Sequence, residues 1–375
     1  MHKGLTTFRA FAFFAVFFFH VGELRIGYLG VQAFFVLSGF LLTPILLDMK
    51  SSLGTKDFFF HFYGRRALRI FPLYYFYLTL VALLAYYVIS QPGYSPVAVI
   101  DRFLAQLPWS ATYTYNFFHA SRFHQDTPLV SHFWSLAVEE QFYLVWPLAI
   151  FCVPQKHFKT FLIVVSVSGL LMRALLAFIS MNHLMPILFD KTDVVIYVLP
   201  FSHIDAFAIG GFFALYMKGR PGWSVWLFIL AVLVIGLLTS WITSGSIPWA
   251  SLGYPYFMKD SYKFIWGYTL MNLLFAYMLV CIRDRKFLPA VFENSILHYL
   301  GKISFGMYVY HFPLTWVIGL FPVKGAPKYI LILIVFTATI AISIASYELM
   351  EKRLLNMKDR FFSRTQQQVA EGARA

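Results

Sequence analysis

The sequence predicts an all-α membrane protein: a polytopic transmembrane helix bundle of about ten spans, with both termini cytoplasmic. Three observations carry that prediction. Of the 375 residues, 59% are hydrophobic and 20% aromatic. Only 13% are charged, where a soluble domain carries about 25%. Apolar runs of roughly twenty residues, the length that crosses a hydrocarbon core, recur along the chain. This balance, with a mean hydropathy of +0.68, excludes a soluble enzyme, a disordered protein and a disulfide-rich secreted module.

The apolar segments lie near residues 6–22, 29–47, 70–90, 134–154, 160–179, 194–217, 224–243, 263–282, 296–320 and 329–350. The first has the basic start and apolar run of a signal peptide. It holds Arg9 and His20 and lacks a small-residue cleavage pattern, so it reads as a retained helix. With the N-terminus inside, the inner segments carry 21 of the 30 Lys and Arg residues and the outer loops 8. That split orients the chain in the cytoplasmic (inner) membrane. The net charge of +13 is therefore a topogenic signal, and nucleic acid is not an expected partner. The two cysteines, Cys152 and Cys281, fall inside apolar segments and point to neither a disulfide framework nor a metal site. Residues 1–353 read as one transmembrane domain and 354–375 as a basic, polar cytoplasmic tail at the anionic leaflet. The longest outer loop, about 91–133, is rich in Tyr, Pro, Asn, His and Ser and is suited to a substrate mouth.

Ionisable groups at membrane depth are costly, so each is a candidate for function. Here they are Arg9, His20, Glu139, Glu140, Arg173, Asp205 and His311. The alternative for each is an interhelical hydrogen bond. Arg9 and His20 are eleven residues apart, which on a helix is three turns plus about 20°, so they share a face roughly 16 Å apart along the axis. Arg9 then sits at the cytoplasmic entrance and His20 deeper, toward the outer half. Histidine suits general base catalysis because it titrates near neutral pH. A carboxylate normally orients such a base, and Glu139 or Glu140 is the expected partner. Adjacent helical residues are about 100° apart, so only one of the two is expected to face the core.

Arg65, Arg66 and Arg69 form a basic cluster before the third segment, with Arg69 sharing a face with both of the others. They fit a lipid-headgroup anchor or a phosphate clamp. Ser38-Gly39 and Gly210-Gly211 permit close helix or ligand approach. No metal is expected: no ligand-spaced pair lies in a helix, and His119 and His124 stand in a loop without evident partners. No Gly-rich phosphate loop is present.

Five motifs in order resemble the acyltransferase-3 family of integral-membrane acyltransferases, over roughly residues 4–353. They are Arg9 with His20, the Gly30–Leu41 stretch, Arg65–Pro72, Trp134–Pro147 and Leu300–Leu314 with Tyr308 and His311. Two positions depart from the family's habit, Ala10 after the first Arg and Leu29 before Gly30; neither removes a reactive group. The resemblance implies a membrane O-acyltransferase of the class that transfers groups other than aminoacyl groups, with O-acetyl transfer foremost. The donor is cytoplasmic acyl-CoA; acetyl-CoA is a co-substrate and no bound cofactor is implied. The acceptor is a hydroxyl of a cell-envelope glycan or lipid-linked saccharide. Some members carry an extra hydrolase-like domain that this sequence does not show, which favours direct O-acylation. On this reading Arg65, Arg66 and Arg69 hold the CoA phosphates, Arg9 holds the donor at the helix bundle, and His20 with Glu139 or Glu140 deprotonates the acceptor. Ser38, Trp134, Asp205, Tyr308 and His311 are acceptor-contacting or structural residues. A transporter without acyl-transfer chemistry is the alternative, in which buried His and Asp residues form a path; repeat symmetry, its usual mark, is not evident.

Overall fold

The computed structural model describes residues 2–93, 97–189, 191–258, 260–320 and 327–361. Among these residues every regular element is helical and there is no strand. The helices are α1 (Lys3–His20), α2 (Leu29–Ser52), α3 (Thr55–Ile89), α4 (Ala98–Ala111), α5 (Tyr115–Ala120), α6 (Trp134–Cys152), α7 (Phe158–Met181) and α8 (Thr192–Val198). There follow α9 (Ile204–Tyr216), α10 (Trp223–Ser244), α11 (Lys263–Arg283), α12 (Pro289–Phe292), α13 (Ser295–Lys302), α14 (Ser304–Leu320), α15 (Lys328–Ser346) and α16 (Lys352–Phe361), the last two joined by a π turn at Tyr347–Glu351.

Every apolar segment of the sequence is helical, but three differ from the simple reading. The segment at 70–90 is the second half of the 35-residue α3, which starts at Thr55. The Arg65–Arg69 cluster is therefore on a helix rather than ahead of one. The segment at 194–217 is two helices bent by 77°, because Leu199 is extended and Pro200 cannot continue the hydrogen-bond ladder. The segment at 296–320 breaks at Ile303 into α13 and α14. The 91–133 loop folds into α4 and α5. Most of the 354–375 tail lies outside the described residues.

Among the described residues six helices are long and apolar enough to cross a membrane, seven if the bent pair counts as one span. That is fewer than the ten expected. In α1, Arg9 and His20 lower the apolar average, and in α6 Glu139 and Glu140 do. These helices hold the site and lie inside the bundle, where an all-apolar surface is not needed. Over its most apolar stretch α2 is 78% buried, whereas α10 is 22% and α15 17% buried, so α2 is central and the latter two lie at the periphery. The centre is tight because glycines face backbone. A Cβ on Gly39 would lie 2.0 Å from the Phe207 carbonyl, and one on Gly210 2.1 Å from the Val36 carbonyl. The small residues picked out in α2 and α9 are thus one another's contact.

Candidate active site

Two chambers open along α1. The first is basic. A cavity of about 540 Å³ is lined by Arg9, Arg65, Arg66, Arg69 and Arg283. It passes, through Arg9, Arg66 and Arg69, into a narrower one of about 80 Å³ that also meets Ser38, Ser135, Glu139, Glu140, Tyr143 and Tyr308. Among the described residues no carboxylate pairs with the guanidinium groups of Arg9, Arg66 or Arg69; Arg66 lies 4.8 Å from the centre of the Tyr143 ring. Unpaired guanidinium forks around a cavity are a strong anion site, since phosphate oxygens complete their hydrogen bonds. Arg283 is different: it donates to the Ala214 and Met217 carbonyls and pairs with Asp284 at 2.8 Å.

The second chamber, about 400 Å³, lies at the other end of α1 and is lined by His20, His132, Trp134, Phe19, Phe312 and the α4–α6 loop. It shares no lining residue with the basic cavities. A hydrogen-bonded partition separates the two. Ser135 Oγ and Tyr308 Oη are 2.5 Å apart, and the Tyr308 hydroxyl donates to the His132 carbonyl at 3.0 Å. The eleven-residue spacing therefore does what helical geometry demands: Arg9 faces the basic chamber and His20 the vestibule. The helix ends on His20 because Gly22 turns left-handed, with φ +82°.

His20 is not held by a carboxylate. Its Nδ1 lies 2.8 Å from Nε2 of His311 on α14, and the rings stack with centroids 5.0 Å apart. His311 Nδ1 is 2.7 Å from the Tyr308 carbonyl, which can only accept. In the neutral pair the proton of His311 therefore sits on Nδ1, its bare Nε2 accepts from His20 Nδ1–H, and His20 Nε2 is left as a free lone pair. His132, in the 3₁₀ turn before α6, is fixed as the opposite tautomer: its Nε2–H donates to the Val309 carbonyl at 3.2 Å.

The expected carboxylate partners lie elsewhere. Glu139 accepts from Ser38 Oγ at 2.5 Å and from the Tyr143 hydroxyl. Both Glu139 and Glu140 line the basic chamber, against the expectation that only one faces inward. Glu140 reaches an apolar cavity on the flank as well, because the cavities meet at α6. Trp134 packs on Tyr197, centroids 4.6 Å apart, at the vestibule wall. Asp205 belongs to neither chamber: it takes the fully buried Arg173 in a fork at 3.0 and 2.8 Å and accepts from Thr269, bracing α7, α9 and α11. The histidine pair that seemed isolated is not. His119 stacks on His124 with centroids 3.7 Å apart, and His124 Nε2 is 3.2 Å from the Tyr115 hydroxyl. Three further residues were not anticipated: His132, Tyr143 and Glu351, which is buried on the π turn and reached by the Ser346 hydroxyl at 3.2 Å. Only a titratable type in an apolar stretch marked them in the sequence.

These features define a multi-pass membrane protein with an arginine-lined chamber and a histidine-floored vestibule at opposite ends of one helix. The chain belongs to the acyltransferase-3 family: the family model, described as an acyltransferase domain, matches residues 2–348. It is similar to the O-acetyltransferase OatA of Staphylococcus aureus strain NCTC 8325, 27% identical over 350 residues, covering 90% of this chain and 55% of that protein. It is also similar to a protein of strain COL that carries the provisional name of an O-acetyltransferase, 26% identical over 370 residues, covering 93% of this chain and 56% of that protein. The chain thus spans about half the length of the curated relatives it matches. No solved structure gives a significant match.

Proposed function

We propose that this chain transfers an acetyl group from cytoplasmic acetyl-CoA to a hydroxyl of a cell-envelope glycan or lipid-linked saccharide. The observation that carries the reading is the arrangement along α1: in one chamber Arg9, Arg66 and Arg69, without a carboxylate partner among the described residues, and in the other a histidine whose tautomer is set by His311 and Tyr308. The phosphates of CoA bind Arg65, Arg66 and Arg69. Arg9 holds the donor where the pantetheine arm enters the bundle, and the arm displaces the Tyr308–Ser135 bond to bring the thioester to His20. The acceptor hydroxyl attacks the thioester carbonyl carbon. The new C–O bond forms as the C–S bond breaks, His20 Nε2 takes the hydroxyl proton, and the imidazolium returns it to the departing CoA sulfur. Acetyl-CoA enters these steps as a co-substrate, and they call on no bound cofactor. Glu139 sets Ser38 and Tyr143 in the wall of the donor chamber, and Glu140 balances the arginine charge.

The 21-to-8 split of basic residues supports an orientation in the inner membrane with both ends and the arginine chamber on the cytoplasmic side. In that reading α1, α6 and α13–α14 also span, making ten. Mass spectrometry of cell-envelope glycans with and without the gene, paired with CoA release by the purified protein, tests the function. Loss of glycan O-acetyl groups in the deletion, together with acetyl-CoA-dependent CoA release, is expected. Unchanged glycans and no CoA release overturn it.

A further inference from the structure

The rim of the vestibule holds a group of side chains that the acyl-transfer reading leaves unused. α5 ends at Ala120, and the turn that follows folds back on itself: the Ser121 hydroxyl donates to the Phe118 carbonyl at 2.7 Å and accepts from the Phe123 N–H at 3.3 Å. This places His124 over His119, with the rings nearly parallel, 12° apart. Asp126 completes the group, its Oδ1 3.9 Å from His124 Nε2. One nitrogen of each ring and one carboxylate oxygen all lie within 4.8 Å of one another.

We propose that His119, His124 and Asp126 form a site for a divalent transition-metal cation of the zinc type at the mouth of the acceptor vestibule. The inference does not rest on the proposed acyl transfer. Its key observation is His119 Nδ1, which is buried with no hydrogen-bond partner. A buried, unpaired ring nitrogen is costly. A bare ring nitrogen held in place by packing is available as a metal ligand. Burial holds His119 well below the ordinary histidine range, with the neighbouring His124 adding to the effect. Burial also lowers His124, where Lys191 adds to the shift and Asp126 opposes it. Both shifts favour the neutral ring, the form in which histidine binds a metal. Simple stacking of two imidazoles would explain their parallel planes but leaves His119 Nδ1 unsatisfied.

Four ligands about 2.1 Å from zinc stand about 3.4 Å apart, so donors up to 4.8 Å apart must close by as much as about 1.4 Å. Asp126, whose side chain is 87% exposed, is free to swing in, and the rings must slip from their stack. The fourth position faces the vestibule, where water or an acceptor hydroxyl fills it. Arg122 and Lys191 line the same chamber. Their charge works against a cation there, and their donors favour an acceptor rich in oxygen.

The test is isothermal titration of the purified, metal-free full chain in detergent with Zn²⁺ alone, alongside the Co²⁺ absorption spectrum. One equivalent bound, with a tetrahedral Co²⁺ signature, is expected. Asp126→Asn, on an exposed side chain that leaves packing untouched, should weaken binding about tenfold or more, and His119→Asn with His124→Asn should abolish it. No stoichiometric binding, or equal binding by wild type and the variants, overturns the site.

Discussion

Removing His311 should separate the orientation of the base from donor binding. In the ground state His20 Nδ1–H donates across 2.8 Å to His311 Nε2. When His20 takes the acceptor proton, the same bond becomes charge-assisted and is worth about 1.5–3 kcal/mol. Losing it, at about 1.4 kcal/mol per decade of rate, lowers kcat by roughly 10- to 150-fold. The arginine chamber is untouched, because His311 lies across the Tyr308–Ser135 partition. His311→Ala should therefore lower kcat in a CoA-release assay by that factor and leave the KM for acetyl-CoA unchanged. His311→Asn, which offers an amide oxygen to His20 Nδ1–H, should recover part of the loss. A kcat within about twofold of wild type in His311→Ala, or a change confined to KM, refutes the tautomer argument.

Arg69→Lys keeps the charge but loses the planar fork, so the KM for acetyl-CoA should rise about tenfold with kcat little changed; if only vesicle binding weakens, the cluster is a lipid anchor. Asp205→Ala leaves the fully buried Arg173 without its partner and should cost about 3–5 kcal/mol of stability, read as a lower melting temperature in detergent with turnover per folded molecule preserved. Reporter fusions at Ser110 and Pro255 should read as external and those at Gly222 and Arg360 as internal; an external reading at Arg360 sinks the proposed orientation.

What was legible in the sequence follows from the range of each interaction. Helices were legible because the bilayer demands about twenty apolar residues in a row. Their interruptions at Leu199–Pro200 and Ile303 were not, since hydropathy averages across a break. The start of α3 at Thr55 was hidden because Lys56, Asp57 and the arginines depress an average that Phe58 to Phe60 raise. On the site, the shared face of Arg9 and His20 is a local property of one helix, and the two side chains do line opposite chambers. The partner of His20 is 291 residues away, and no spacing rule reaches that far. The pairing of Arg173 with Asp205 and the folding of His124 onto His119 likewise depend on tertiary contacts, so the residue types stood out while their partners did not.

The most direct measurement of the central claim is turnover by His20→Gln, which keeps side-chain size and hydrogen bonding but cannot take the proton. The account predicts that CoA release falls by roughly 10²–10⁴-fold while acetyl-CoA binding and the melting temperature stay at wild-type values. Near-normal turnover in His20→Gln would contradict it, leaving His20 a packing residue and the base to be sought at Glu139, Glu140 or His311.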